Sequence, residues 1–127
     1  TTIMRNKYLG GCHCGAIMFE FYSKKIVELI KCNCSICSLN SYLHLIIPHK
    51  EFKLLKGKNK IKTYQFNKKL AEHYFCLDCG IKSFYQPRSH KNSYSINYNS
   101  IKKPAPNVGK IINFNGKNFE ASLHLIK

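Results

Sequence analysis

A chain of 127 residues that is 44% hydrophobic can bury one sizeable core but not several, so a single domain spanning 1–127 is expected. No run reaches the ~18 apolar residues of a membrane span, and no N-terminal stretch has the basic, apolar, small-residue order of a signal peptide, so neither export nor a membrane span is supported. The formal charge of +15 leaves room for weak polyanion binding, but all of the 21 basic residues except Arg5 and Arg88 are Lys, spread along the chain without the interleaved Arg and aromatics of a dedicated nucleic-acid reader.

The chain begins Thr1-Thr2, as a processed chain or a piece of a longer protein does. Tyr8 to Gly11 leads into a first cysteine pair, Cys12-His13-Cys14, and Ala16 to Tyr22 alternates with Ile17, Phe19 and Phe21 on one face, the pattern of a half-buried strand. Ile26 to Lys31 reads as a strand that delivers the chain to Cys32-Asn33-Cys34-Ser35-Ile36-Cys37. Tyr42 to Pro48 is an apolar run ended by proline. Glu51 to Leu55 suggests a short turn of helix, Gly57 to Lys60 a polar turn, and Ile61 to Phe66 another alternating strand. Glu72 to Phe75 enters a second pair, Cys76-Leu77-Asp78-Cys79, followed by strands over Ile81 to Gln86 and Tyr94 to Tyr98. A proline-containing loop from Lys102 to Gly109 precedes an extended Lys110 to Phe114. Asn115-Gly116 is a turn signal, and Phe119 to Ile126 fits helix or strand.

The cysteines organise this string of short elements. Seven is an odd number, and a bridge within C-x-C closes a strained ring, so a disulfide scaffold is disfavoured and a reducing compartment, cytoplasmic or nuclear, is expected. Thiolates spaced as Cys32, Cys34 and Cys37 can converge on one tetrahedral Zn²⁺, and three protein ligands leave a fourth position for water or substrate, the mark of a catalytic site. Cys12, Cys14, Cys76 and Cys79 sit in two similar strings, GCHCGAIMFEF and FCLDCGIKSFYQ, each a cysteine turn, a glycine able to take positive φ, and a strand. Facing each other, they would make a closed four-thiolate site that staples distant strands. Another partition, with Cys12 and Cys14 joined to Cys32 and Cys34, splits the trio and leaves Cys37 without a role. Seven thiolates and two Zn²⁺ would bring the charge to about +12.

The strings GGCHCGAIMFEF, CNCSIC, FKLLKGKNKIKTYQFN and HYFCLDCGIKSFYQPRS resemble the glutathione-dependent formaldehyde-activating enzyme family, and most of all its centromere protein V branch. The resemblance spans Gly10 to about Tyr98 and rests on three cysteine motifs in order, each with its flanking residues. It implies a mainly β, Mss4-like fold, with antiparallel sheets assembled around zinc and few short helical turns. It also implies two zinc ions, a structural one on Cys12, Cys14, Cys76 and Cys79 and a catalytic one on Cys32, Cys34 and Cys37. The activity implied is that of a carbon–sulfur lyase joining glutathione and formaldehyde as S-(hydroxymethyl)glutathione. The competing reading is a non-catalytic, zinc-stabilised module that binds glutathione or polyanionic partners.

Several other residues bear on that chemistry. Arg88 carries a planar guanidinium able to clamp a carboxylate through two hydrogen bonds, and glutathione has two carboxylates, so Arg88 is a candidate ligand-binding residue beside the plain reading as an ion pair. His44 and His73 read first as packing residues, with a fourth zinc ligand as the alternative. Asn33, Ser35 and Ser38 can support the trio's sulfurs by hydrogen bonds. Tyr42, Phe84 and Tyr85 read as core, or as walls of a pocket.

Overall fold

A computed structural model describes residues 6–32, 42–65, 71–88 and 90–114. Among these, ten strands run in chain order: β1 Asn6–Gly11, β2 Met18–Ser23, β3 Ile26–Cys32, β4 Leu43–Pro48, β5 Phe52–Lys56, β6 Ile61–Tyr64, β7 Glu72–Cys76, β8 Phe84–Gln86, β9 Ser93–Asn97 and β10 Asn107–Phe114. Short 3-10 turns occupy His49–Glu51, Lys58–Lys60 and Tyr98–Ser100. Asn115-Gly116 and Phe119 to Ile126 lie outside the described residues.

The strands form two sheets, a small one ordered β1-β2-β5 and a large one ordered β10-β3-β4-β9-β8-β7-β6. The mainly β expectation holds, and the pairings are antiparallel except for β3 with β10, which is parallel. The alternation in β2 works as the sequence predicts. Phe19 and Phe21 are fully buried with Ile17 beside them, whereas Met18 and Glu20 are only partly covered. Phe19 stacks on Phe52 at 5.0 Å and meets Phe84 edge-on at 5.4 Å, and Phe84 in turn meets Tyr94 at 5.4 Å. The small sheet is thus sealed against the large one by aromatic rings. Each such side chain contributes about 1.5–3 kcal/mol by burial, and each ring pair roughly 0.5–1.5 kcal/mol more.

Two local expectations need correction. The turn of helix predicted over Glu51 to Leu55 is a 3-10 turn ending at Glu51, followed by a strand. A run this short has no period that separates helix from strand, and pairing with β2, Phe52 opposite Phe21 and Leu54 opposite Phe19, decides for the strand. The loop from Lys102 to Gly109 ends early because β10 begins at Asn107. It is recruited by β3, with Asn107 opposite Ile26 and a register shift around Gly109.

Candidate metal centre and the polar cluster beside Cys32

The two cysteine pairs occupy matching turns, as their strings suggest. Cys12 donates its N–H to the Ile17 carbonyl at 3.1 Å, and Cys76 does the same to Ile81 at 3.1 Å. Gly15 N–H returns to the Cys12 carbonyl and Gly80 N–H to the Cys76 carbonyl, with the glycines at φ +81° and +76°. Left-handed backbone is what closes each turn, and glycine takes it without a Cβ penalty.

A third segment locks the turns together. Gly57, at φ +99°, lies so close to the first turn that a Cβ there would sit 2.4 Å from the Ala16 carbonyl oxygen. From Gly57 the 3-10 turn over Lys58–Lys60 runs to the second pair, where the Lys60 carbonyl accepts the Leu77 N–H at 2.8 Å. Lys60 Nζ also lies 3.3 Å from Asp78 Oδ2. Both groups of that ion pair are exposed, so the backbone contacts matter more.

The result is a four-thiol cluster. The sulfurs of Cys12, Cys14, Cys76 and Cys79 all lie within 4.8 Å of one another, and Cys14 is 3.6 Å from both Cys12 and Cys76. Sulfurs around a tetrahedral ion with bonds of ~2.3 Å are separated by about 3.8 Å, so the donor set fits one zinc-sized ion. Backbone N–H groups point at the same sulfurs: Ile17 to Cys12 at 3.2 Å, and Asp78 and Cys79 to Cys76 at 3.4 and 3.5 Å. Such donors favour thiolate, the form that binds metal.

The neighbouring sulfurs act on one another's protonation. A hydrogen bond from the Ala16 backbone works to lower the Cys14 pKa, but desolvation and the neighbouring Cys76, Cys12 and Cys79 sulfurs outweigh it and push Cys14 up to about 12. For Cys79 desolvation works upward, and hydrogen bonds involving Cys14, Ile81 and Cys76 overcome it and bring Cys79 down to about 6.

Of the central trio, Cys32 alone falls among the described residues, and Cys34, Cys37, Asn33, Ser35 and Ser38 lie outside them. Cys32 closes β3 opposite Phe114 of β10, half-buried, and packs against the small cluster formed by Tyr42 and Tyr85. These two tyrosines form a second cluster separate from the main core, whereas Phe84 belongs to the core. Arg88 stands two residues beyond β8, half-buried. The last residue of that strand, Gln86, bonds His49 at 2.7 Å, at the end of β4 opposite from Tyr42.

Around the tyrosines lies a buried polar network that the sequence signals only in part. His44 Nδ1 is 2.9 Å from Ser95 Oγ and 3.2 Å from the Tyr85 hydroxyl, and Tyr42 donates its hydroxyl to the Ser95 carbonyl at 2.6 Å. His73 stacks flat on Tyr85, at 4.9 Å and 12°. Lys82, only 2% exposed, places Nζ 2.7 Å from His73 Nδ1, 3.9 Å from the centre of the Tyr85 ring and 4.7 Å from that of Tyr42. Both histidines are buried, as packing residues are, but they make polar contacts of their own. Lys82 went unmarked because lysine is everywhere in this chain, and no local pattern separates a buried one from the rest.

The comparisons with known proteins agree with this architecture. The model of the family described as glutathione-dependent formaldehyde-activating enzyme matches residues 7–113. A crystal structure of a Rhodobacter sphaeroides protein is similar with a TM-score of 0.69 and 27% identity, covering 77% of this chain and 91% of that one.

Proposed function

Because the chain belongs to the glutathione-dependent formaldehyde-activating enzyme family, we propose that it is a zinc-dependent carbon–sulfur lyase-type protein that joins glutathione to formaldehyde, giving S-(hydroxymethyl)glutathione. The observation that carries the reading is the match over residues 7–113, which takes in all three cysteine motifs. The assembled cluster of Cys12, Cys14, Cys76 and Cys79 supports the structural half of the reading. Within the family we place the chain nearest the centromere protein V branch, on the strings around its cysteines.

In this reading Cys12, Cys14, Cys76 and Cys79 hold a structural zinc, and Cys32, Cys34 and Cys37 hold a second one. A zinc on the trio supplies a fourth position that favours a glutathione sulfur as thiolate. The protein's own part is to seat and orient the substrates. Tyr42 and Tyr85, the pair against which Cys32 packs, are assigned a wall of the pocket that receives the thiol. Arg88 is assigned a glutathione carboxylate, held through the two parallel N–H bonds that a guanidinium alone offers.

Calorimetric titration of the zinc-loaded protein with glutathione and with S-methylglutathione tests the reading. Glutathione should bind, and the methylated form, which has no thiolate to offer, should bind much more weakly. Cys34→Ser should stay folded and lose glutathione. Equal binding of both ligands would refute sulfur recognition at the trio. Binding only of polyanions, weakening steeply with salt, would favour the non-catalytic module.

A further inference from the structure

The four sulfurs of the cluster are alike in chemistry but not in exposure. Cys12 and Cys76 are buried and Cys79 is half-buried, whereas Cys14 is exposed. The turns that carry the two pairs open to solvent at their glycines, since a Cβ added to Gly15 or to Gly80 would meet no atom within 4 Å. Cys14 thus offers the sulfur that a small solute reaches first. That sulfur lies 3.6 Å from Cys12 Sγ and 3.6 Å from Cys76 Sγ, but the two neighbours are not equivalent partners. A bond to Cys12 closes a strained C-x-C ring, whereas a bond to Cys76 joins two separate turns that stand 62 residues apart in the chain. The approach needed, from 3.6 Å to the ~2.05 Å of a disulfide, is about 1.5 Å, and the exposed Cys14 side chain has open solvent beside it in which to turn.

Resting on the reading of this cluster as a zinc site, and not on the lyase activity, we propose that Cys14 is a modification site for hydroperoxides, whose oxidation ends in a Cys14–Cys76 disulfide that expels the metal and keeps the fold. Cysteines that hold a metal do so as thiolates, which is also their nucleophilic form. With hydrogen peroxide, the Cys14 sulfur attacks one oxygen, the O–O bond breaks, and the departing hydroxide takes a proton from solvent to become water. Cys14 is left as a sulfenic acid. The Cys76 sulfur then attacks the Cys14 sulfur, the S–S bond forms, the S–O bond breaks, and a second hydroxide leaves and is protonated by solvent. Each sulfur has given up one electron, and the peroxide has been reduced to water. Cys12 and Cys79 alone remain as ligands, too few for a tetrahedral thiolate site. The new bond spans the same two turns that the metal spans, so the cross-link between them outlasts the metal.

The test treats zinc-loaded wild type with hydrogen peroxide in steps. Released zinc is read with a chromophoric chelator, disulfides by tandem mass spectrometry of proteolytic peptides, and stability by urea titration. A combined Cys32→Ser, Cys34→Ser and Cys37→Ser variant isolates the four-cysteine cluster and assigns the released ion to it; should that variant not fold, the peptide map of wild type decides. The first bridge should map to Cys14 and Cys76 and should appear in step with zinc release. The oxidised, metal-free protein should unfold roughly 2 M urea above the reduced, chelated one, the shift that closing a loop of this length gives, and a dithiol reductant with added zinc should reverse all three changes. Zinc that leaves while Cys14 stays reduced, or with Cys14 bridged to Cys12 instead, overturns the proposal. So does zinc that stays bound, or an oxidised protein that unfolds with the chelated one. A cluster that carries no zinc before peroxide is added refutes the metal reading and the proposal with it, an outcome that elemental analysis separates from the others at the start.

Discussion

Cys76→Ser removes a buried ligand from the four-thiol cluster, and its cost can be worked from the chain. Cys14 and Cys76 are 62 residues apart, and tying such a loop shut removes about 4 kcal/mol of unfolded-chain entropy in the usual cross-link treatment. A domain of this size is stable by only about 5–15 kcal/mol in total. Losing the staple therefore consumes a large part of the stability. At a urea dependence of ~2 kcal/mol per molar, the unfolding midpoint should fall by roughly 2 M. Urea titrations followed by far-UV circular dichroism, on zinc-loaded wild type, chelator-treated wild type and Cys76→Ser, give the number directly. The chelated and mutant proteins should unfold together and well below the loaded one, and the loaded midpoint should rise with free zinc. If all three unfold at one urea concentration, the cluster is not a metal staple and the loop argument is wrong.

Fully reconstituted protein should carry two zinc ions per chain by elemental analysis, the four-cysteine site surviving a mild chelator that strips the trio; saturation at one zinc, with the trio thiols free to alkylate, would remove the second site. Gly57→Ala should destabilise by about 1–3 kcal/mol, since it meets both a left-handed φ and the Ala16 carbonyl, and it should loosen zinc because the same contact holds the first cysteine turn; competition with a chromophoric chelator would show an unchanged zinc affinity if that coupling is absent. Arg88→Lys should weaken glutathione about tenfold or more with little change in melting temperature, because the charge remains and the fork geometry, at roughly 1.5–3 kcal/mol for hydrogen bonds to a charged group, is lost; wild-type affinity in the variant would exclude the carboxylate clamp.

How much was legible depends on whether the signal is local. Strands such as β2 could be read because alternation is a property of a few consecutive residues, and the pairing of Cys12 and Cys14 with Cys76 and Cys79 because metal ligands announce themselves by type and spacing. The strand at Phe52–Lys56 was misread, since its state is decided by Phe21 and Phe19 across the sheet. The parallel pairing of β10 escaped for the same reason. Lys82 was the deepest omission. Its burial is the joint result of Tyr42 just before β4, His73 on β7 and Tyr85 on β8, a meeting of separate segments that no local pattern around Lys82 records.

The parallel pair of β3 and β10 also bears on the order in which the molecule forms. β1 and β2 meet across a short turn and can zip early, whereas Asn107 must find Ile26 across most of the chain, and contacts so distant in sequence are slow to form. The far end of that pairing sets Phe114 opposite Cys32. Until β10 docks, the strand that presents Cys32 is paired on one side only, by β4 at Ile30 and Lys31. The nascent protein thus acquires a folded body before the strand pairing beside Cys32 is complete, so, if the proposed function holds, newly made chains should bind metal at the four-cysteine cluster sooner than they bind a thiol.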